Sequence, residues 1–343
     1  MPMWPVYTGT EGPHDGVAHL PDPPPWRAFD GGPPLPLPPQ EDGSASPDRK
    51  HRAGTYQATG ESVELVNAAL VLRRPLLVTG PPGSGKSSLP YAVARELKLG
   101  PVLRWNITSR STLQDGLYQY DPMARLYAAS KGAGHKRPEE VGEGASAGDA
   151  IEDHLRLGPL GTALLPYERP RVLLIDEIDK SDLDLPNDLL NVLEEGQFEI
   201  PELVRSAEHA PAARLMVSGS ADRATVDRGL VRCRAFPFIV LTSNGEREFP
   251  PAFLRRCVPL HLRRPEPDHL EAIVRAHLGE LDEDTKRMIT TFLERSSTGE
   301  LATDQLLNAI YLSRIPGLEA GSRDALAASL MTHLGPVAEF HDF

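Results

Sequence analysis

Cysteine is almost missing from this chain: Cys233 and Cys257 are the two thiols among 343 residues. Two are too few for a disulfide framework or a thiolate metal site. Long apolar runs are missing as well, since no stretch approaches the roughly eighteen residues that a membrane-spanning helix needs. The N-terminus has no basic region followed by an apolar one, so the expected setting is the cytoplasm, with no membrane contact. Positive charge is in short supply, with 36 Lys and Arg against 48 Asp and Glu, a net charge of −12. An acidic chain lacks the excess cation that drives binding to a phosphate backbone; nucleic acid is therefore an unexpected partner, although local basic patches stay open. The sequence also has no H-E-x-x-H, no nucleophile elbow, no cluster of His and Cys, and no Asn-Lys-x-Asp for reading guanine.

Proline is plentiful, and much of it lies near the start. Runs such as Pro23-Pro24-Pro25 and Pro33-Pro34-Leu35-Pro36-Leu37-Pro38-Pro39 lack backbone donors and fix φ, which excludes helix and sheet there. Composition predicts a disordered leader over 1–55. The competing reading makes Trp26 and Phe29 a docking motif, because large apolar groups are unusual in a solvating tail. A second low-complexity stretch, Gly132 to Ala150, reads as an exposed loop within the folded part.

Beyond the leader, strands and helices alternate. A helix is expected over Glu61–Leu72, a strand at Leu76–Thr79, a helix from Lys86 to Leu97 and a strand over Val102–Thr108. Val172–Ile175 and Phe238–Thr242 are continuous apolar runs of the kind found in strands buried on both faces of a parallel sheet. Asp184–Glu195 suits a helix with Pro186 in its first turn and Gly196 at its end, and Val258–Leu262 suits an edge strand. After Pro265 the strands stop, and helices are expected at Pro267–Leu281, Glu283–Arg295, Thr303–Arg314 and Ser322–Leu334. Alternating α/β followed by helices alone implies a parallel-sheet domain over 56–264, carrying the 131–150 loop, and a small all-helical lid over 265–336.

Gly80-Pro81-Pro82-Gly83-Ser84-Gly85-Lys86-Ser87 fits G-x-x-x-x-G-K-[ST]. Glycines without Cβ let the backbone turn tightly and aim N–H groups at phosphate oxygens, and the following helix points its positive end at the same anion. Lys86 suits the β/γ-phosphates and Ser87 suits Mg²⁺. A Gly-rich turn explains the glycines alone; the strand before and helix after favour a phosphate loop. Asp176 and Glu177 follow the Val172–Ile175 strand, at the sheet edge where ligands bind. Asp176 suits Mg²⁺, usually through its water shell, and Glu177 suits a general base for the attacking water. A solvated strand end is the bland alternative. Asn244 is a candidate to orient water or touch the γ-phosphate, with an Asx turn before Gly245 as its competitor. Arg255 and Arg256 are candidates for an arginine finger from a neighbouring subunit, or for a surface salt bridge.

Together these motifs resemble an AAA+ ATPase of P-loop NTPase fold, and the text around them resembles the MoxR-like branch. The segments are GPPGSGKS, LGPLGTALL, LLIDEIDK with LLNVLEEGQFEIPEL, and VLTSNGEREFPPAFLRRC. The likeness runs from Tyr56 to Leu334. It implies a five-stranded parallel sheet with a helical lid, nucleotide between them, and a homo-oligomeric ring, usually a hexamer. In that frame Gly80–Ser87 is the Walker A loop, Asp176 and Glu177 the Walker B pair, and Asn244 sensor one. Arg256 becomes the finger, with Arg255 as runner-up, and Asn106 a restraint on Glu177. Thr108–Ser130 becomes the family's insertion, and Arg205–Arg232 carries a hairpin. The start of the third lid helix, Leu301-Ala302-Thr303-Asp304-Gln305, has no sensor-two arginine; either the function is missing, or Arg295 or another lid residue supplies it.

The expected function is therefore ATP hydrolysis with Mg²⁺ that remodels or activates a protein partner. Two alternatives stay open: a nucleotide-controlled switch or scaffold with slow hydrolysis, and a DNA motor, which the acidic balance disfavours.

Overall fold

The computed structural model describes residues 4–9, 12–39, 46–133, 151–296, 301–315, 325–326 and 329–331. The centre is an all-parallel sheet of five strands: β1 (Leu76–Thr79), β2 (Leu103–Asn106), β3 (Val172–Asp176), β4 (Phe238–Ser243) and β5 (Val258–His261), in spatial order β5-β1-β4-β3-β2. Every residue of β3 and β4 is buried, as their unbroken apolar runs require, whereas the edge strands β2 and β5 alternate buried and exposed. The pleat sends Leu77, Leu173, Ile175, Ile239 and Leu241 to one face, and Leu76, Val78, Val172, Leu174 and Val240 to the other, each feeding its own core.

Helices α1 (Pro47–Thr55), α2 (Gly60–Leu72), α3 (Leu89–Glu96) and α4 (Leu185–Glu195) belong to this layer. A capping box starts α2, in which Thr59 and Ser62 exchange backbone and side-chain hydrogen bonds. Gly196, at φ 62°, ends α4 as expected. The lid is α5 (Pro267–Leu278), α6 (Glu283–Ser296) and α7 (Thr303–Ser313), packed around Leu270, Val274, Ile289, Phe292, Leu306 and Ile310. Most of the expected Ser322–Leu334 helix, and positions 134–150 of the expected loop, lie outside the described residues. Among the described residues no helix is long and apolar enough to cross a membrane.

Two arrangements differ from the sequence expectation. A second sheet of six short strands runs in the order Tyr118–Tyr120, Leu155–Leu157, Ala212–Met216, Arg223–Asp227, Leu230–Arg232 and Gln197–Glu199. It contains the hairpin within Arg205–Arg232, but three-residue strands carry too little periodicity to be read from the chain.

The leader is the larger correction: it is not disordered where described. The segment forms no named strand, only single 3-10 turns at Gly16–His19 and Pro25–Arg27 and one isolated parallel bridge from Leu35 to Tyr167, yet it is strapped to the body. Val6 and Tyr7 are fully buried, their amides donate to Asn67 Oδ1 at 2.7 and 2.9 Å, and Asn67 Nδ2 returns a bond to the Tyr7 carbonyl at 2.7 Å. Glu96 accepts from the Thr8 amide and hydroxyl at 2.6 and 2.8 Å. Trp26 is exposed, so the docking residues are its neighbours: Arg27 is 2% exposed, and Phe29 stacks on Phe236 with centroids 5.3 Å apart. Composition reports local propensity; these contacts are tertiary, and the Phe29–Phe236 pair joins residues 207 positions apart.

Candidate functional site

The carboxyl ends of β1, β3 and β4 open into a cleft of about 930 Å³, closed on the far side by the lid. Glycine is required where the phosphate loop touches other backbone. Gly83 has φ +72°, and a Cβ there would lie 2.6 Å from the Thr303 amide at the start of α7. Gly80 has φ +149°, and its Cβ would meet the Leu262 carbonyl oxygen at 2.3 Å. Loop and lid are thus in backbone contact, which only residues without a side chain permit.

The helix after the loop starts later than expected. Residues 86–88 are turns, and α3 begins at Leu89 with Pro90 in its first turn, where a missing N–H costs little. Lys86 is 8% exposed, and its Nζ donates to the Gly80 and Pro81 carbonyls, both at 2.8 Å. Burial pulls its pKa below the usual lysine value, with Asp179, Asp176 and Glu177 opposing. Ser84 Oγ is buried without a hydrogen-bond partner. A turned-in ammonium and an orphaned hydroxyl in a glycine-built loop are what an oxyanion would satisfy.

Asp176 sits 6% exposed at the end of β3. Its Oδ1 accepts from Ser87 Oγ at 2.8 Å and Thr242 Oγ1 at 2.7 Å, and its Oδ2 accepts from Arg104 Nη2 at 2.7 Å. Burial works against the charged carboxylate, but the hydrogen bonds from Thr242, Ser87 and Arg104 outweigh it and hold Asp176 below the usual carboxylate range. A buried Asp with an adjacent Ser hydroxyl is a hard-oxygen donor set that fits Mg²⁺ once phosphate oxygens complete it. Among the described residues no group of three or more His, Cys, Asp or Glu forms a self-sufficient metal site.

Glu177 adopts left-handed backbone, φ 60° and ψ 52°, rare for a side chain of its size. Its backbone amide donates to Thr242 Oγ1 at 2.9 Å. The carboxylate is half-exposed and accepts from Lys180 Nζ at 2.8 Å. Asn106 is the sheet partner of Asp176 and shares a second, shallow pocket with Glu177, but the bond to Glu177 comes from Lys180. Asn244 lines the main cleft, and its amide donates to the buried Asp179 Oδ2 at 2.8 Å. The neighbouring Gly245 amide donates to Ser243 Oγ at 3.0 Å, so turn chemistry and cleft position coexist there.

Arg255 and Arg256 line neither cleft nor second pocket. The side chain of Arg255 is exposed, whereas Arg256 Nε lies 3.3 Å from Glu194 on α4 and its Nη1 donates to the Ala252 carbonyl at 3.1 Å. Arg295 is directed elsewhere, its Nη1 3.5 Å from the Met331 carbonyl. Among the described residues, the arginines that do line the cleft are Arg52, Arg263 and Arg264.

The matching family model is the AAA domain of the dynein-related subfamily, over residues 75–257, just over half of the chain. The chain belongs to this AAA family. The matched AAA domain contains the whole Walker-type constellation together with Arg255 and Arg256, and it excludes the leader and the lid. Among solved structures, NtrX from Brucella abortus in complex with ADP is 15% identical, with 83% of this chain and 57% of that one covered at a TM-score of 0.38. A second structure of NtrX from Brucella abortus is also 15% identical, with 79% and 53% covered at a TM-score of 0.42. The chain thus spans little more than half the length of these structures. No curated protein matches it.

Sequence reasoning missed three contributors to this site. Arg104 lies within a strand, Thr242 is a strand-end polar residue with no motif of its own, and α1 falls within the 1–55 segment that composition reads as a leader. In the structure Asp48, His51, Arg52 and Thr55 of α1 line the cleft, and His51 Nε2 contacts His277 Nδ1 of α5 at 3.0 Å. The legible signal for Thr242 was its place in Thr242-Ser243-Asn244, two residues before the Asn that was found.

Proposed function

We propose that the chain is an ATP-hydrolysing AAA machine of MoxR-like type that assembles into a homo-oligomeric ring, most simply a hexamer, and acts on a protein partner. The observation that carries this reading is the convergence of Lys86, Ser87, Asp176, Glu177 and Asn244 on one cleft between the sheet and the lid. In it, the backbone of Gly80–Ser87 binds the phosphate chain, with Pro81, Pro82, Ser84 and the glycines shaping the loop. Lys86 exchanges its two carbonyl acceptors for phosphate oxygens. Ser87 and Asp176 hold Mg²⁺, which supplies charge neutralisation on the phosphates. Glu177 accepts the proton of the attacking water at its carboxylate, Asn244 orients that water, and Thr242 fixes both acidic residues through one hydroxyl.

Arg256 is the proposed finger. It lies outside its own cleft, so the active unit needs a neighbour, and Glu194 is its rest position within the free subunit. Arg263 or Arg264, where the sheet passes into the lid, takes the place of the sensor-two arginine. The case for a macromolecular partner rests on the helix Pro122–Ala133, which leaves Met123, Leu126 and Tyr127 each more than half exposed. The MoxR-like assignment rests on the sequence segments quoted above, and the acidic charge favours protein over DNA.

Equilibrium binding of ATP with Mg²⁺ tests the reading at its base. Lys86→Ala should weaken ATP affinity at least about tenfold, since a charge-assisted phosphate contact is lost. Turnover of the wild type should rise steeply with protein concentration. A fully active monomer by light scattering overturns the ring, and unchanged affinity in Lys86→Ala overturns the phosphate-loop assignment.

A further inference from the structure

The pair formed by Arg104 and Asp176 is not accounted for by any motif. Asp176 spends Oδ1 on two neutral hydroxyls, those of Ser87 and Thr242, and gives Oδ2 to a cation, Arg104. The Asp176 side chain is 8% exposed and the Arg104 side chain 36% exposed, so a buried anion is held by a residue that reaches it from the rim. Arg104 stands on β2, the edge strand of the sheet, on the exposed phase of its alternation.

From this geometry we infer that Arg104, which stands outside the cleft lining, is a built-in counter-ion to the cleft-lining Asp176 and must leave that carboxylate when Mg²⁺ arrives, thereby setting the metal requirement of the site. The inference deepens the nucleotide reading above and rests on it. The physical argument is one of compatibility. A Ser87 hydroxyl can give its proton to Asp176 and its lone pair to a metal at once, so that contact survives metal binding. The same holds for the Thr242 hydroxyl, which already donates to Asp176 and accepts from the Glu177 amide. A guanidinium has no lone pair to offer, and a dication placed against the same carboxylate repels it. Of the three donors, Arg104 is therefore the one that yields. Its contact is a single Nη2–Oδ2 approach and its side chain is already part-exposed, which keeps the cost of release low.

Arg104 is thus a positioning residue with a consequence for affinity. Removing it deletes a competitor for Asp176 and leaves the carboxylate more in need of a cation.

The test is a Mg²⁺ titration of fluorescent ADP binding to the full chain, begun in chelator. Arg104→Gln should lower the Mg²⁺ midpoint roughly tenfold, the value of one charge-assisted hydrogen bond. Arg104→Lys, which keeps the competing charge, should stay close to wild type. A midpoint in Arg104→Gln indistinguishable from wild type, with ADP still bound, overturns the inference and leaves the nucleotide reading intact. Wild type that binds no ADP at any Mg²⁺ concentration overturns the nucleotide reading, and the inference with it. If Arg104→Gln does not fold, guanidinium NMR of wild type decides. The Arg104 signal should report hindered rotation with ADP in chelator and free rotation once Mg²⁺ is added; a signal that ignores Mg²⁺ overturns the inference.

Discussion

Removal of Arg27 should cost this protein more than removal of any surface arginine. Its guanidinium, 2% exposed, donates to the Arg73 carbonyl from Nε at 3.1 Å and Nη2 at 2.6 Å, to the Glu194 carbonyl at 2.6 Å and to the Leu193 carbonyl at 2.9 Å. Those acceptors are the terminal carbonyls of two helices: Arg73 is the left-handed cap of α2, and Leu193 and Glu194 belong to the last turn of α4. One cation therefore caps two helix dipoles that sequence places more than a hundred residues apart. It also lies 4.6 Å from the Phe236 ring centroid and 5.1 Å from that of Phe29. Burial lowers its pKa, and Glu194 opposes that shift. Hydrogen bonds from a charged donor are worth about 1.5–3 kcal/mol each when counted singly, but water would re-enter and satisfy part of the loss. A total of about 3–5 kcal/mol for Arg27→Ala follows, of which about 1 kcal/mol is the ring contact. For a chain of this size that corresponds to a fall of roughly 4–7 °C in melting temperature. Thermal unfolding followed by circular dichroism measures it, with Arg27→Lys expected between the two because it keeps the charge but not the fork. A drop of under about 2 °C, within the range of ordinary surface substitutions, would refute the claim that the leader is an integral strap.

Truncation of residues 1–55 should weaken nucleotide affinity as well as stability, because α1 walls the cleft and Tyr7 leaves a buried seat; binding as tight as that of the full chain would contradict this. Mixing Arg256→Ala with Glu177→Gln subunits, each inactive alone, should restore part of the turnover, since some mixed interfaces pair an intact finger with an intact base; no recovery at any ratio would count against a finger supplied in trans. Both thiols should resist alkylation at pH 8, because burial pushes Cys233 and Cys257 up to about 12. Since the folded thiols hold their protons more tightly than the unfolded ones, stability should fall as pH rises from about 8.5 towards about 12, and rapid labelling of the native protein at pH 8 would contradict the burial.

The parallel sheet was legible because β3 and β4 announce themselves as continuous apolar runs, and because Gly196 and Pro186 bracket α4 within a residue of its observed bounds. The phosphate loop and the acidic pair were legible because each needs particular residue types at fixed spacing. Apart from strands too short to show a period, what escaped the reading depends chiefly on partners distant in sequence. Nothing about Pro25-Trp26-Arg27 says that Arg27 meets carbonyls at 193 and 194, and the larger aromatic beside it, Trp26, turned out to be exposed. Arg104 reads locally as the polar phase of an edge strand; only the parallel register that sets β2 beside β3 brings it to Asp176. The delayed start of α3 was foreshadowed by Pro90, whose presence in an early turn fits a helix beginning at Leu89 better than one beginning at Lys86.

The central claim, that this cleft hydrolyses ATP with Glu177 as the base, is tested most directly by comparing Glu177→Gln with wild type for ATP affinity and phosphate release in the same preparation. The account predicts affinity within about twofold of wild type and turnover reduced by at least about a hundredfold, since the lost group acts on water and not on the bound phosphates. Turnover of Glu177→Gln equal to that of wild type would contradict it.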